Sequence, residues 1–212
     1  MPEVADRYRR VRERVADLVL TLDPADLERS VPACPGWRVH DVVAHITGIT
    51  DDALNGRLDG VATDPWTAAQ VERGRGVPTA DLVARWGEQA PVFEQFPLPV
   101  RVVIDLTTHE QDIRGAVDRP GARESDDLLW AFDQIAGDAV DRMSGLRIEV
   151  DGAAYGPDDA ELVLVGERFE IYRVLLGRRS AEQIRGLTWR GGPPERVQDL
   201  VLFGPAPTDV IE

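Results

Sequence analysis

The segment Val102-Val-Ile-Asp-Leu-Thr-Thr-His-Glu-Gln-Asp-Ile-Arg114 constrains this chain more than any other. It lies within a helix expected over about 99–117, and helical residues advance about 100° each. Asp105, His109 and Asp112, spaced i, i+4, i+7, therefore share one face with Leu98, Val102, Ile113 and Ala116. Glu110 and Arg114 point away from it. Three ionisable groups thus interrupt a stripe that should be buried. Charge in a core is expensive unless it is paired, hydrogen-bonded or bound to a metal. A carboxylate and an imidazole at i, i+4 can reach one ion, as helical zinc sites do. The pair alone reads equally as a helical ion pair, or as a core histidine held by Asp112.

The flanking pattern is helical for about 140 residues. Val4, Tyr8, Val11, Val15, Leu18 and Leu22 form an amphipathic stripe. Ser30-Val-Pro-Ala-Cys-Pro-Gly-Trp37 must be a structured loop. A second helix carries Val39, Val42, Val43, Ile46 and Ile49. Residues 55–78 read as a long Gly-, Asp- and Pro-rich loop. Thr79 is the expected N-cap of a third helix, with Leu82, Val83, Trp86, Ala90 and Phe93, and Ser125 that of a fifth, with Leu128, Phe132, Ile135, Ala139 and Met143. Near Gly145 the pattern changes. Residues 146–151 and 161–165 read as strands, 167–178 and 180–186 as short helices, and 198–203 as a last strand. The expectation is an α+β chain: a helical bundle over 1–144, then a small α/β domain over 145–212 packed on it.

Composition sets the outer limits. The chain has 212 residues, with 24 basic against 38 acidic side chains and a net charge of −14. Every basic residue is arginine. Such a balance argues against binding nucleic acid or an anionic membrane. One cysteine excludes a disulfide framework and a multi-cysteine zinc site. No apolar run approaches a membrane span, and the charged start does not read as a signal peptide. A cytoplasmic location is the expectation.

The histidines are His40, His45 and His109. His45 sits at the edge of the second helix's apolar stripe, where Asp41, one turn earlier, could hold its second ring nitrogen. His40 falls on the polar side and is expected to be solvated. Alone, His45 reads as a boundary histidine; with a second imidazole-bearing face in the chain, it becomes a candidate ligand.

Val31-Pro-Ala-Cys-Pro-Gly-Trp-Arg-Val-His-Asp-Val-Val-Ala-His45 resembles the signature of the mycothiol-dependent maleylpyruvate isomerase-like family, within the wider DinB-like metal-binding four-helix bundles. In that family a Cys-Pro-Gly-Trp loop leads into a helix bearing a metal-binding histidine, and a later helix carries Glu-x-x-x-His-x-x-Asp. Here the second motif is Asp105-Leu-Thr-Thr-His-Glu-Gln-Asp112. The stretch Glu170–Ser180 and the closing Phe203-Gly-Pro205 resemble the family's small sterol-carrier-protein-like domain. The resemblance implies His45, Asp105 and His109 as metal ligands, with Asp112 and Asp41 behind them. Asp105 departs from the usual Glu and is one methylene shorter, so the helices sit closer, a water bridges, or the site is weaker.

What the resemblance implies for function is a metal-dependent enzyme using a low-molecular-weight thiol, mycothiol, on a small electrophile. The reaction would be S-transfer or cis–trans isomerisation. Two imidazoles and a carboxylate leave a tetrahedral Zn²⁺ with an open position, and Zn²⁺ is the expected ion. The same set suits non-haem Fe(II). A metal-held thiol loses its proton and becomes a positioned nucleophile. The alternatives are a DinB-like binding module without turnover, with or without metal, and a hydrolase using metal-bound water. Cys34 is expected to pack under Trp37 rather than ligate, and the five tryptophans to serve core or domain interface. Arg173, Arg178, Arg179, Arg185 and Arg190 read either as solvated charge or as a grip on a carboxylate.

Overall fold

The computed structural model describes residues 2–212. The chain divides into two compact units, one ending at Gly121 and the other Ala122–Glu212. Among its described residues the first is made of α1 (Pro2–Leu20), α2 (Pro24–Leu27), α3 (Val39–Leu54), α4 (Asp64–Gly74), α5 (Thr79–Phe93) and α6 (Val100–Ala116). The α1 stripe buries Tyr8, Val11, Val15 and Leu18, as its spacing predicts. α3 is the central element, packed on α4, α5 and α6. It buries Val39, Val42, Val43 and Ile46 together with the polar Asp41, His45, Thr50 and Asp52.

Several buried polar side chains of this unit are tied together by hydrogen bonds. The Trp86 indole N–H donates to Tyr8 Oη at 2.7 Å, and Tyr8 Oη lies 2.7 Å from Thr50 Oγ1, joining α1, α3 and α5. Burial pushes the Tyr8 phenol up to about 12. Glu110 does point away from the Asp105 face, but it is buried rather than solvated. Arg14 of α1 holds both its oxygens, at 2.8 and 2.8 Å, and Arg114 donates to it at 3.0 Å.

Residues 55–78 are not one long loop. Asp64 and Pro65 open α4, a common helix start, and Gln70, Val71 and Gly74 form its buried face. Thr79 is the first residue of α5 rather than its cap. Its hydroxyl lies 2.8 Å from His40 Nδ1, and His40 Nε2 lies 3.2 Å from the Gly74 carbonyl. His40 is therefore half-buried and bonded, not merely solvated.

The second unit holds α7 (Asp126–Arg142), β1 (Leu146–Val150), β2 (Ala153–Tyr155), β3 (Leu162–Val165), α8 (Arg168–Leu175), α9 (Ala181–Arg185) and β4 (Thr188–Arg190). Ser125 caps α7 by accepting from the Leu128 N–H at 3.3 Å. The sheet order is β2-β1-β3-β4, with β1 and β3 parallel and the outer pairs antiparallel. Leu146, Ile148, Val150 and Leu164 alternate into its core with Ile171, Val174 and Leu175 of α8. The fold is α+β. The division falls between Gly121 and Ala122 rather than near residue 144, because α7 packs on α8 and β1. The change of periodicity marks a change of element type, not of packing unit. The strand expected over 198–203 is absent: Val197–Asp199 form a 3-10 turn and bends follow. No helix among the described residues is long and apolar enough to cross a membrane.

Candidate metal centre

The Pro-Gly loop before α3 is held by its own backbone. Val31 N–H donates to Trp37 O at 2.9 Å, Cys34 N–H to Val31 O and Trp37 N–H to Cys34 O, both at 3.0 Å. Gly36 takes φ of +84°, a conformation glycine adopts without penalty. This turn brings Trp37 against the first turns of α3. Its ring lies 5.3 Å from that of His45 and 6.3 Å from that of His109, near-parallel to the latter. Trp37 thus contacts these imidazoles; Trp86 is core, while Trp66 and Trp189 bond to the backbone carbonyls of Arg57 and Ile184.

The three expected ligand positions come together. One donor atom each from His45, Asp105 and His109 lie within 4.8 Å of one another. His45 Nε2 is 3.8 Å from Asp105 Oδ2, and His109 Nε2 is 3.6 Å from Asp105 Oδ1. The two rings meet edge to face at 4.9 Å. Both histidines are buried, while the Asp105 side chain keeps 32% of its exposure although its Oδ2 is itself buried.

The opposite edges of both rings are also engaged. His109 Nδ1 lies 2.9 Å from Asp112 Oδ2, the role expected of Asp112. Asp112 is 1% exposed and also accepts from Cys34 Sγ at 3.4 Å. Cys34, His109 and Asp112 thereby form a second convergence sharing His109 with the first. Asp41 does not hold His45. It accepts from the Arg38 backbone N–H at 2.9 Å and from the Arg38 guanidinium, closing the start of α3. Burial alone would raise the Asp41 carboxyl, but these hydrogen bonds hold it below the usual range. The atom beside His45 Nδ1, at 2.7 Å, is Oε1 of Gln70, from α4. Gln70 has no sequence signal of its own, because the Gly-, Asp- and Pro-rich stretch around α4 reads as loop.

The C-terminal arginines are largely accounted for by acidic partners. Arg173, fully buried, donates to Glu212 at 2.6 and 2.7 Å. Arg179 donates to Glu170 at 2.6 and 2.7 Å and to Glu212 at 2.9 Å. Arg190 donates to Glu149 at 2.7 Å. These are structural pairs, neither simply solvated nor held open for a carboxylate ligand.

A helical unit whose separate helices aim two imidazoles and one carboxylate at a common point has the donor set of a metal-binding bundle. The sequence matches the mycothiol maleylpyruvate isomerase N-terminal domain over residues 8–114, half of the chain, and the chain belongs to that family. Two crystal structures of the mycothiol-dependent maleylpyruvate isomerase share its fold. One, a histidine-to-alanine mutant, aligns with a TM-score of 0.61 at 14% identity. The other aligns with 0.59 at 16%, and both alignments cover 91% of this chain and 95% of theirs. No curated protein matches the sequence.

Proposed function

We propose that His45, Asp105 and His109 bind one divalent metal ion, and that the chain uses a thiol, mycothiol, to act on a small electrophile by S-transfer or cis–trans isomerisation. The observation that carries this reading is the convergence of the three donor atoms in a chain of this family. The proposed thiol comes from the description of the related crystal structures as a mycothiol-dependent isomerase.

The donor spacing fits such an ion. Ligand bonds of about 2.0–2.2 Å at tetrahedral angles set donor atoms roughly 3.3–3.6 Å apart. Asp105 Oδ1 lies 3.6 Å from His109 Nε2 and Asp105 Oδ2 lies 3.8 Å from His45 Nε2, close to that range, which supports the shorter side chain reaching the ion. Zn²⁺ suits two nitrogens and a carboxylate.

A divalent ion held there supplies a Lewis-acid position that favours the thiolate form of a thiol, beside the three protein ligands. His45 and His109 present Nε2 towards this position while Gln70 and Asp112 occupy their Nδ1 edges. Asp105 adds the negative charge of the set. Trp37 lies against the two rings on one flank. In isomerisation, the thiol sulfur adds to a conjugated cis double bond and the π electrons move onto the conjugated carbonyl. Rotation follows about the new single bond. The C–S bond then breaks, the double bond re-forms trans and the thiol is regenerated.

The test is turnover by the zinc-loaded protein of a cis-configured conjugated keto acid, maleylpyruvate first, and of a simple alkylating electrophile. Activity should require mycothiol and should vanish in His45→Ala and His109→Ala. Metal-loaded protein that shows no thiol-dependent activity on either substrate, yet hydrolyses an ester or amide, would overturn the reading in favour of a hydrolase.

A further inference from the structure

Gln70 donates nothing to the proposed donor set, yet its surroundings fix its orientation. It is 1% exposed. Its Nε2 donates to Asp52 Oδ2 at 2.9 Å, and its Oε1 faces His45 Nδ1 at 2.7 Å. Asp52, fully buried, accepts at Oδ1 from Arg57 at 2.6 Å and from Arg73 at 2.5 Å. Burial would raise the Asp52 carboxyl, but hydrogen bonds from Arg57, Gln70 and Arg73 keep it below the usual carboxylate range.

These partners settle the direction of every hydrogen bond. A guanidinium only donates, and an ionised carboxylate only accepts. Asp52 therefore takes the amide nitrogen of Gln70 and leaves its oxygen for His45. An amide oxygen accepts only, so the ring proton of His45 sits on Nδ1. Nε2 keeps its lone pair on the side of Asp105 and His109.

We infer that Gln70, oriented by Asp52, Arg57 and Arg73, is a positioning residue that sets the tautomer of His45 and so keeps Nε2 as a donor atom of the site. This rests on the proposed metal site. Two glycines make the contact possible. A Cβ on Gly48 would lie 2.8 and 2.9 Å from Cβ and Cγ of Gln70, and one on Gly74 would lie 2.4 Å from Ala44 Cβ. The missing Cβ atoms let α4 lie against α3 with Gln70 over Gly48.

Without Gln70 the acceptor at Nδ1 is gone. The ring proton then moves to Nε2, whose neighbour is the Asp105 carboxylate, and the donor lone pair is lost. Partners of this kind affect metal affinity by about 10–100-fold.

The full-length chain can be tested without reference to activity. In metal-free wild type, ¹⁵N NMR of the histidine side chains should show His45 protonated on Nδ1. Gln70→Leu should move that proton to Nε2 and weaken Zn²⁺ binding about 10–100-fold in competition with a chromogenic chelator. Gly48→Ala, which displaces Gln70, should act in the same direction. Gln70→Glu should place two carboxylates side by side and also fail, whereas Gln70→Glu combined with Asp52→Asn restores both hydrogen bonds with the same net charge. That pair should recover the tautomer and most of the affinity, which a merely structural role would not do. Wild type protonated on Nε2 would overturn the inference, as would folded Gln70→Leu with unchanged tautomer and Zn²⁺ affinity, or absence of rescue by the paired substitution. Wild type protonated on Nδ1 but unable to bind Zn²⁺ would instead overturn the metal reading, leaving the positioning of His45 intact.

Discussion

Replacing Asp112 by alanine separates the two convergences that share His109. Asp112 is 1% exposed, with Oδ2 2.9 Å from His109 Nδ1 and 3.4 Å from Cys34 Sγ. If the ion sits among His45, Asp105 and His109, the carboxylate of Asp112 acts by holding the His109 ring and raising its basicity. Its loss should then weaken Zn²⁺ binding about 10–100-fold, or roughly 1.4–2.7 kcal/mol. Asp112→Asn retains an acceptor oxygen without the charge and should fall near the lower end. Cys34→Ala removes a donor to Asp112 but nothing facing His109 Nε2, so it should change affinity less than about threefold. Chelator competition, with circular dichroism to establish folding, reads all three. Folded Asp112→Ala that binds Zn²⁺ as wild type does would refute the role of Asp112. Equal losses from Cys34→Ala and Asp112→Ala would move the ion to the Cys34–His109–Asp112 set.

Asp105→Asn should weaken Zn²⁺ binding in the same competition, since it removes the one anionic ligand; equal affinity for the two side chains would show that this carboxylate is not one. The buried Tyr8 phenol titrates at about 12 in the folded chain against 10.0 in the open, so it stabilises the fold fully below pH 10 and loses that contribution as pH rises through 12. The amount is about 2–3 kcal/mol, and urea unfolding should show this alkaline decline in wild type but a flatter one in Tyr8→Phe. Glu212→Ala removes the carboxylate shared by the buried Arg173 and by Arg179, and should lower stability by about 3 kcal/mol in urea; a change under about 0.5 kcal/mol would mean that the cluster is not maintained in solution.

Much of the fold is legible in the sequence where an element repeats its apolar residues over several turns. The stripes of α1, α3, α5 and α7 are such cases: that of α5 is buried throughout, and the others are buried except for the half-buried Val4, Leu22, Ile49 and Met143. α4 escapes because its buried face is only Gln70, Val71 and Gly74, inside a Gly- and Asp-rich stretch; Asp64-Pro65 is the one signal that could have found it. β2 and β4 are three residues each, too short for alternation to register. The apolar run ending at Phe203 misleads in the other direction. Val197, Leu200 and Val201 are buried at turn spacing, while Phe203 stays exposed.

The same division applies to the site. Asp105, His109 and Asp112 stand out because one helix carries them at i, i+4, i+7 on a face that ought to be apolar. The approach of His45 to that face depends on how α3 packs against α6, which periodicity does not encode. Trp37 and Gln70 are less visible still. A tryptophan in a loop and a glutamine in a short helix have no spacing signature, and their roles come from the Gly36 turn and the Gly48 contact. Asp41 is a local misreading: one turn before His45 it could serve the ring, but the start of α3 claims it first through Arg38.

The most direct test of the account is the spectrum of the Co²⁺-substituted chain. Three protein ligands and an open position should give about one Co²⁺ per chain, and mycothiol should then produce a sulfur-to-metal charge-transfer band. The band should form below the pKa of the free thiol, because the cation favours the thiolate, and it should be absent from His45→Ala and His109→Ala. A chain that takes up no Co²⁺, or takes it up and leaves the spectrum unchanged with mycothiol and other biological thiols, would contradict the account.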